Sequence, residues 1–493
     1  MKQIIYKLSV VVFALVTTVS CYNLDDENFK TLTPITVNDV ATTIDVKSGI
    51  ELIYTDLELT SDLPIEYEWA YGQVKTDSYN EYAMDSLRVI SNDPDIRYTF
   101  KSLGTFILRL KADNGEDVLL KYFTLNVNSG LDEGVLILSN DEEENGSLTL
   151  VKKRTADEIA EDSQEVFTDI FSTINPERSL KKVKNMYLSS YYHTSSSVYY
   201  NSLLVSTDDE SGTLYKMEPN TLMVYSTRAM KEELGTACEQ FVGDYMISSA
   251  HYTFMRGSDG LTYRYDLYSD IIGERTDVTI AGLYATHGAM LETYSSSSGG
   301  SRKPLMFSKE VLFVPYYGSI TRPSIDGYYV VNICTSSVYS KAYVLLQSKT
   351  DPTSYTIRSS TTSMGTQTEV ITFSTDNLCM DIDSKMVFTK NSADVYYTFN
   401  NGIYRWTPTS APATAPKITL PEGEIIRDIE TNYMAKFGDG TEETLLYVAT
   451  YNPTREGKKG SLYVYQFSDD QLVTSYEGIC DDPVQVMYKY RVQ

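Results

Sequence analysis

Gly460-Ser461-Leu462-Tyr463-Val464-Tyr465 is the phrase that decides how the larger part of this chain folds. A glycine sits at a turn, and the residues leaving it alternate as a strand does, with side chains on opposite faces. The phrase also occurs as Gly146-Ser147-Leu148-Thr149-Leu150, Gly212-Thr213-Leu214-Tyr215, Gly260-Leu261-Thr262-Tyr263-Arg264-Tyr265 and Gly402-Ile403-Tyr404-Arg405-Trp406. In chain order the glycines stand 66, 48, 142 and 58 residues apart, and the widest interval has room for two or three units of similar size. Degenerate repeats of roughly 45–60 residues, each with three or four strands, predict a β-propeller over 132–493. Its length divides into six to eight blades, with seven as the central expectation.

Upstream, residues 34–129 also read as strands, so the fold class expected for the whole chain is all-β. In Tyr67-Glu68-Trp69-Ala70-Tyr71 the aromatic residues share one face. Phe106, Leu108, Leu110 and Ala112 fall on one face with Arg109 and Lys111 opposite, and Phe123, Leu125 and Val127 repeat the pattern after the hairpin signal Asp113-Asn114-Gly115. This predicts a β-sandwich, with Trp69 as its core plug. A helix is expected where the capping box Thr155-x-x-Glu158 precedes Ile159, Val166, Phe167 and Ile170. Ser295-Ser296-Ser297-Ser298-Gly299-Gly300-Ser301 reads as a loop.

The chain has 493 residues, 42% of them hydrophobic, enough for real cores, and a formal net charge of -25. So acidic a surface repels phosphate backbones and excludes nucleic acid as an expected partner. Residues 1–20 read as a signal peptide: Lys2 and Lys7 flank the start of an apolar stretch from Ile4 to Val19, which ends in Thr18-Val19-Ser20 before Cys21. No later segment is long and apolar enough to span a bilayer. The remaining thiols, Cys238, Cys334, Cys379 and Cys480, lack C-x-x-C spacing and allow three pairings, with isolated thiols the commoner outcome.

Ser20-Cys21 resembles the lipobox of bacterial lipoproteins, which implies a lipidated Cys21 followed by an acidic linker over 21–33. Tyr22-Asn23-Leu24-Asp25-Asp26-Glu27 resembles the acidic export signal of Bacteroidales surface lipoproteins. Trp69-Ala70-Tyr71-Gly72, Tyr98-x-Phe100, Gly104, Phe106, Leu108 and Leu110 resemble a PKD-type immunoglobulin-like domain, with Gln73-Val74 where that family has Asp-Gly. The order of parts, with Gly134-Val135-Leu136-Ile137-Leu138 opening the second region, is similar to the PKD-like family lipoproteins of the Bacteroidales. The resemblance implies a lipid-anchored, cell-surface position on the outer membrane and an accessory role beside a nutrient transporter. It carries over no catalytic or ligand residue.

No catalytic constellation stands out. His193, His251 and His287 occupy no recognisable motif, Gly-x-Ser-x-Gly and His-Glu-x-x-His are absent, and neither a metal site nor a cofactor is expected. Calcium is the one ion considered, at Asp113-Asn114-Gly115-Glu116-Asp117, Asp208-Asp209-Glu210 and Gly438-Asp439-Gly440, where solvated turns are the commoner outcome. Asn140-Asp141-Glu142-Glu143-Glu144 reads as a hairpin loop. Ser206-Thr207-Asp208 and Ser258-Asp259-Gly260 echo the structural Asp-box turns of propeller sialidases with altered spacing.

The 41 tyrosines are the most suggestive feature, because a Tyr ring stacks on sugar or peptide faces while its hydroxyl hydrogen-bonds. Tyr187, Tyr191, Tyr192, Tyr199, Tyr200, Tyr316 and Tyr317 are the candidate ligand-binding residues, with Tyr328-Tyr329 a further cluster. The function expected is non-catalytic capture of a glycan or peptide at the surface. The alternatives are a glycoside hydrolase or lyase, and a structural or adhesive partner of other surface proteins. Cys21→Ala should move the protein from the membrane fraction to the soluble fraction; retention on membranes would remove the anchor from this account.

Overall fold

The computed structural model describes residues 32–47, 51–73, 87–100, 104–193, 198–233, 245–249, 252–256, 262–274, 285–293, 301–316, 319–336, 341–361, 364, 366–388, 392–432 and 444–490. Two compact units divide between Gly130 and Leu131. Among the described residues no helix is long and apolar enough to cross a membrane.

The first unit is built on a five-stranded sheet in which Thr43–Lys47 pairs in parallel with Val118–Asn128, followed by Gly104–Asp113, Glu66–Gln73 and Arg88–Ser91. The antiparallel pair Glu51–Tyr54 and Ile96–Thr99 packs over it through Leu52, Tyr54, Ile96 and Tyr98. The alternation in the sequence is what buries one face: Phe106, Leu108, Leu110, Phe123, Leu125 and Val127 all lie in the core. Trp69 is fully buried among them, edge-on to Tyr54, and its indole N–H donates to the carbonyl of Asp93 at 3.1 Å. That bond satisfies the one polar atom the plug carries inward.

The second unit holds seven successive antiparallel sheets among its described residues. The first combines the C-terminal strand Asp482–Lys489 with Gly134–Asn140, Asn145–Lys152 and the short edge strands Val166–Phe167 and Leu180–Lys181. The other six occupy 183–229, 245–274, 287–321, 328–374, 386–419 and 425–480, each with four strands paired in chain order. The leading strand of each sheet neighbours the leading strand of the next, and Asp482–Lys489 meets both Ile425–Thr431 and Val183–His193, so the series closes on itself. Apolar clusters fill the gaps between successive sheets, as where Val135, Ile137 and Val486 of the first sheet meet Ala449, Leu462 and Val464 of the seventh. The unit is propeller-like.

Polar side chains tie the leading strands together. Register shifts precede Asn332, Asp428 and Gln485 in their strands. A bulge of this kind turns a side chain out of the ladder. Asp428 then accepts from the backbone N–H of Val486 at 3.0 Å, and Gln485 accepts from that of Met186 at 2.6 Å. Asn332 donates to the carbonyls of Asp381 and Ser384 at 2.7 and 3.0 Å. The first two ties run to adjoining sheets, and the third runs to the connection that leads into the sixth sheet. Burial raises the Asp428 carboxyl above its ordinary pKa, against the pull of Lys385 and two backbone N–H groups. At the end of the closing strand Lys489 is fully buried, its ammonium donates to the Asp132 carbonyl, and burial lowers its pKa to about 8.

The recurring glycine phrase marks the third strand of its sheet, at Asn145–Lys152, Thr213–Met217, Thr262–Asp266, Gly402–Trp406 and Gly460–Gln466. The 142-residue interval contains two sheets whose third strands, Leu312–Tyr316 and Ser354–Ser360, lack it. At Gly460 a Cβ would stand 2.1 Å from the carbonyl oxygen of Asp481 and 2.5 Å from the Cys480 sulfur. The chain passes there from the seventh sheet into the closing strand, so the glycine is kept for close approach.

The helix expected from Thr155 is cut short. The capping box forms, with Thr155 N–H donating to Glu158 at 3.1 Å and Glu158 N–H to Thr155 Oγ1 at 3.3 Å. The helix Ala156–Ala160 nevertheless ends after about one turn, Asp162 takes φ 52°, and Ile159 stays exposed. Val166 and Phe167 pair instead with Val151 and Leu150, and Ile170 opens a second short helix, Ile170–Ile174. Satisfying the edge of the first sheet outweighs continuing the helix. Of the expected serine-glycine loop, 295–300 lie outside the described residues and Ser301 opens a strand. Cys334 and Cys480 are buried free thiols and Cys379 is free and half-buried, while Cys238 lies outside the described residues.

Gly460→Ala should lower the unfolding free energy by about 1–3 kcal/mol, the usual cost of overpacking, read as a shift in the denaturant midpoint at unchanged slope.

Candidate binding site

Four antiparallel strands per sheet place the connections between strands one and two, and between three and four, at the same end of the sheet. Tyr191 pairs with Tyr200 and Tyr192 with Tyr199 where the first two strands of the second sheet meet. Tyr316 ends the third strand of the fourth sheet, opposite Ser319, and so belongs to the corresponding end of its sheet. Tyr187 lies farther back on its strand, half-buried against the apolar cluster that includes Leu204 and Met246. Tyr317 lies outside the described residues. Elsewhere the tyrosine surplus is largely core: Tyr263, Tyr265, Tyr396, Tyr397 and Tyr463 are almost wholly buried. Tyr329 has Lys309 and Lys349 at 4.7 and 5.0 Å from its ring centre, and Arg358 covers Tyr328 at 4.6 Å.

The acidic loops weighed for calcium use their oxygens on the protein. Asp113 accepts from Gly115 N–H, Glu116 from Thr33 N–H, and Asp117 from Ile35 N–H, which fastens residues 33–35 to the hairpin. Asp209 accepts from the N–H groups of Ser211 and Thr213, closing a turn. Asp141 does the same for Glu143 and Asn145 in the hairpin loop of the first sheet. Residues 438–440 lie outside the described residues, as does Cys21.

A cavity of about 300 Å³ lies between the seventh and first sheets, at the strand-connection end that carries the Tyr191–Tyr200 pair in the second sheet. Val135, Val151, Leu445, Leu462 and Val464 contribute its apolar lining, with Tyr447, Tyr476 and Tyr488 among its aromatic residues. Tyr447 and Tyr488 stack with ring centres 5.6 Å apart and planes 21° from parallel. Lys152, Lys153 and Arg154 supply cations, each already paired, with Glu158, Glu133 and Glu165 respectively. Tyr476 donates its hydroxyl to Glu165 at 2.9 Å and Tyr488 donates to Glu133 at 2.6 Å. Burial, reinforced by Glu165, pushes the Tyr476 hydroxyl up to about 12, so it remains a donor at neutral pH.

Sequence reading did not single out Tyr447, Tyr476 and Tyr488. They sit in three separate strands, and only sheet pairing brings them to one place. The sole local sign was a tyrosine within a strand, which describes core equally well.

Of the three histidines, His287 is the one whose side chain is described. It lies at the opposite end of its sheet, where the leading strand begins. Its Nε2 stands 3.0 Å from Asp383 Oδ1 and its Nδ1 2.8 Å from Thr286 Oγ1. Arg256 donates to the Thr286 carbonyl beside it. Burial lowers the pKa of His287, and the cations Arg256 and Lys385 add to that, while Asp383 opposes them. Both ring nitrogens are therefore engaged, Nδ1 locally and Nε2 with a distant connection.

No protein-family profile matches the chain, and no curated protein sequence matches it. Among solved structures, a quinoprotein alcohol dehydrogenase-like protein from Bacteroides thetaiotaomicron is 14% identical, with 93% of this chain and 99% of that one covered and a TM-score of 0.41. A DUF4784 family protein from Bacteroides caccae is 8% identical over the same shares, with a TM-score of 0.31.

Asp383→Ala should lower the pKa of His287 further, because it removes the charge that favours imidazolium while leaving burial in place. A proton NMR titration of the imidazole signal reads the direction, and an upward shift would contradict the electrostatic account.

Proposed function

We infer that this chain is a lipid-anchored capture protein of the outer cell surface. In this reading residues 1–20 are a signal peptide, and Cys21 carries lipid ahead of an acidic linker through residue 33. A PKD-type immunoglobulin-like sandwich over 34–129 acts as spacer, and 132–493 form a seven-bladed β-propeller. The propeller binds a glycan or peptide without transforming it. Tethering the captured molecule beside an outer-membrane transporter raises its local concentration, which is how a non-catalytic protein serves uptake.

One observation carries the binding reading: the aromatic-walled cavity and the paired tyrosines of the second sheet belong to the same strand-connection end. Cavities between elements, with apolar linings and few polar groups, are where small ligands and side chains bind. The test is calorimetric titration of the detergent-solubilised full chain with a panel of oligosaccharides and peptides, accompanied by product analysis. Saturable binding without product is expected, weakened at least tenfold by Tyr191→Ala combined with Tyr200→Ala. Product that accumulates in proportion to protein concentration would make it an enzyme instead.

A further inference from the structure

The cavity between the seventh and first sheets has a chemistry that separates the two ligand classes. A sugar ring brings several hydroxyls, each of which must regain the hydrogen bonds it loses on leaving water. The polar groups around this cavity are already engaged. The Tyr476 and Tyr488 hydroxyls point to Glu165 and Glu133. Three cations are matched by three carboxylates. Asn432 accepts from Leu445 N–H through its side chain and from the Tyr490 hydroxyl through its carbonyl. Arg154 is held by the Ser163 carbonyl and Glu165, and its Nε is buried out of reach of the cavity.

The entrance is apolar as well. Ile159 and Val473 both line the cavity, yet they are 58% and 54% exposed. Single exposed apolar residues are ordinary, but two bordering one apolar cavity form a surface suited to a protein contact. Ile159 is exposed because its helix stops after about one turn. A volume of about 300 Å³ is at the lower edge of the roughly 300–1,000 Å³ typical of ligand pockets, room for one bulky group. With local charges balanced, the field a partner meets is that of the whole chain, whose net charge is -25.

Resting on the capture reading above, we propose that this cavity receives one bulky apolar side chain of a basic peptide segment. Ile159 and Val473 flank its entry. An inserted apolar anchor surrounded by near-neutral contacts is the usual anatomy of a peptide or protein hot spot. Basic residues beside the anchor gain from the acidic surface, chiefly in association rate.

The experiment selects an immobilised hexapeptide library, Lys-X-X-X-X-Lys, against the detergent-solubilised full chain, with maltohexaose and xylohexaose measured in parallel. Enrichment of peptides with one Leu, Phe, Met or Trp is expected. Replacing that residue by Ala, or introducing Ile159→Asp or Val473→Asp, should weaken binding at least tenfold while thermal unfolding of these surface variants stays unchanged. Replacing the flanking lysines by glutamine should weaken binding and remove its salt dependence. Oligosaccharide binding abolished by the same two variants would place a sugar in the cavity, overturning this inference and leaving the capture reading intact. Peptide binding indifferent to both variants would overturn the inference alone, and failure of every probe to bind would overturn both.

Discussion

The second unit depends on one pairing: Gly134–Asn140 against Asp482–Lys489, the two ends of about 355 residues of chain. Seven sheets laid side by side would otherwise leave two open edges and two exposed apolar faces. Pairing the C-terminal strand with the first sheet removes one edge and buries Val486 and Tyr488 against the seventh sheet. Side-chain acceptors on buried Asp428 and half-buried Gln485 then bind the backbones of the next leading strands. Closure has costs. Asp428 and Lys489 are both ionisable groups held in low dielectric, and their pKa shifts, up for the acid and down for the base, are the signature of burial.

The candidate site follows from that closure. Tyr488 belongs to the closing strand and Tyr447 to the seventh sheet, so their stacked pair exists only in the closed arrangement. The cavity beside them is apolar because successive sheets pack through apolar faces. It stays open where the first sheet has only the two-residue edge strand Val166–Phe167. The same short edge explains Ile159, since the chain between the third strand and this edge has one helical turn in place of a long buried helix.

Legibility varied with the range of the interaction. Alternation in Phe106–Ala112 and Phe123–Val127 was readable because a strand with one buried face carries a period of two. The glycine phrase was readable because a close approach leaves little room for a Cβ at Gly146, Gly402 and Gly460, and Gly212 takes φ 59°. The capping box was readable too, but helix length was not: Val166 and Phe167 suit a helical stripe and an edge strand alike, and distant pairing chose the strand. Tyrosine was ambiguous for the same reason. Tyr396 and Tyr397 are plain core, while Tyr191 and Tyr200 pair at a strand-connection end, and residue type does not distinguish them.

By itself, then, the amino-acid order determined the all-β class, the alternating faces of the strands and the turn positions, since these depend on steric preferences and periodicity within a few residues. Tertiary structure decided which strands adjoin, which polar groups find partners, and where three tyrosines from separate strands meet residues 134–165 around one cavity. The physical reason is separation along the chain: contacts between residues hundreds of positions apart leave no periodic trace in either segment, and their partners are chosen only when the sheets close against one another.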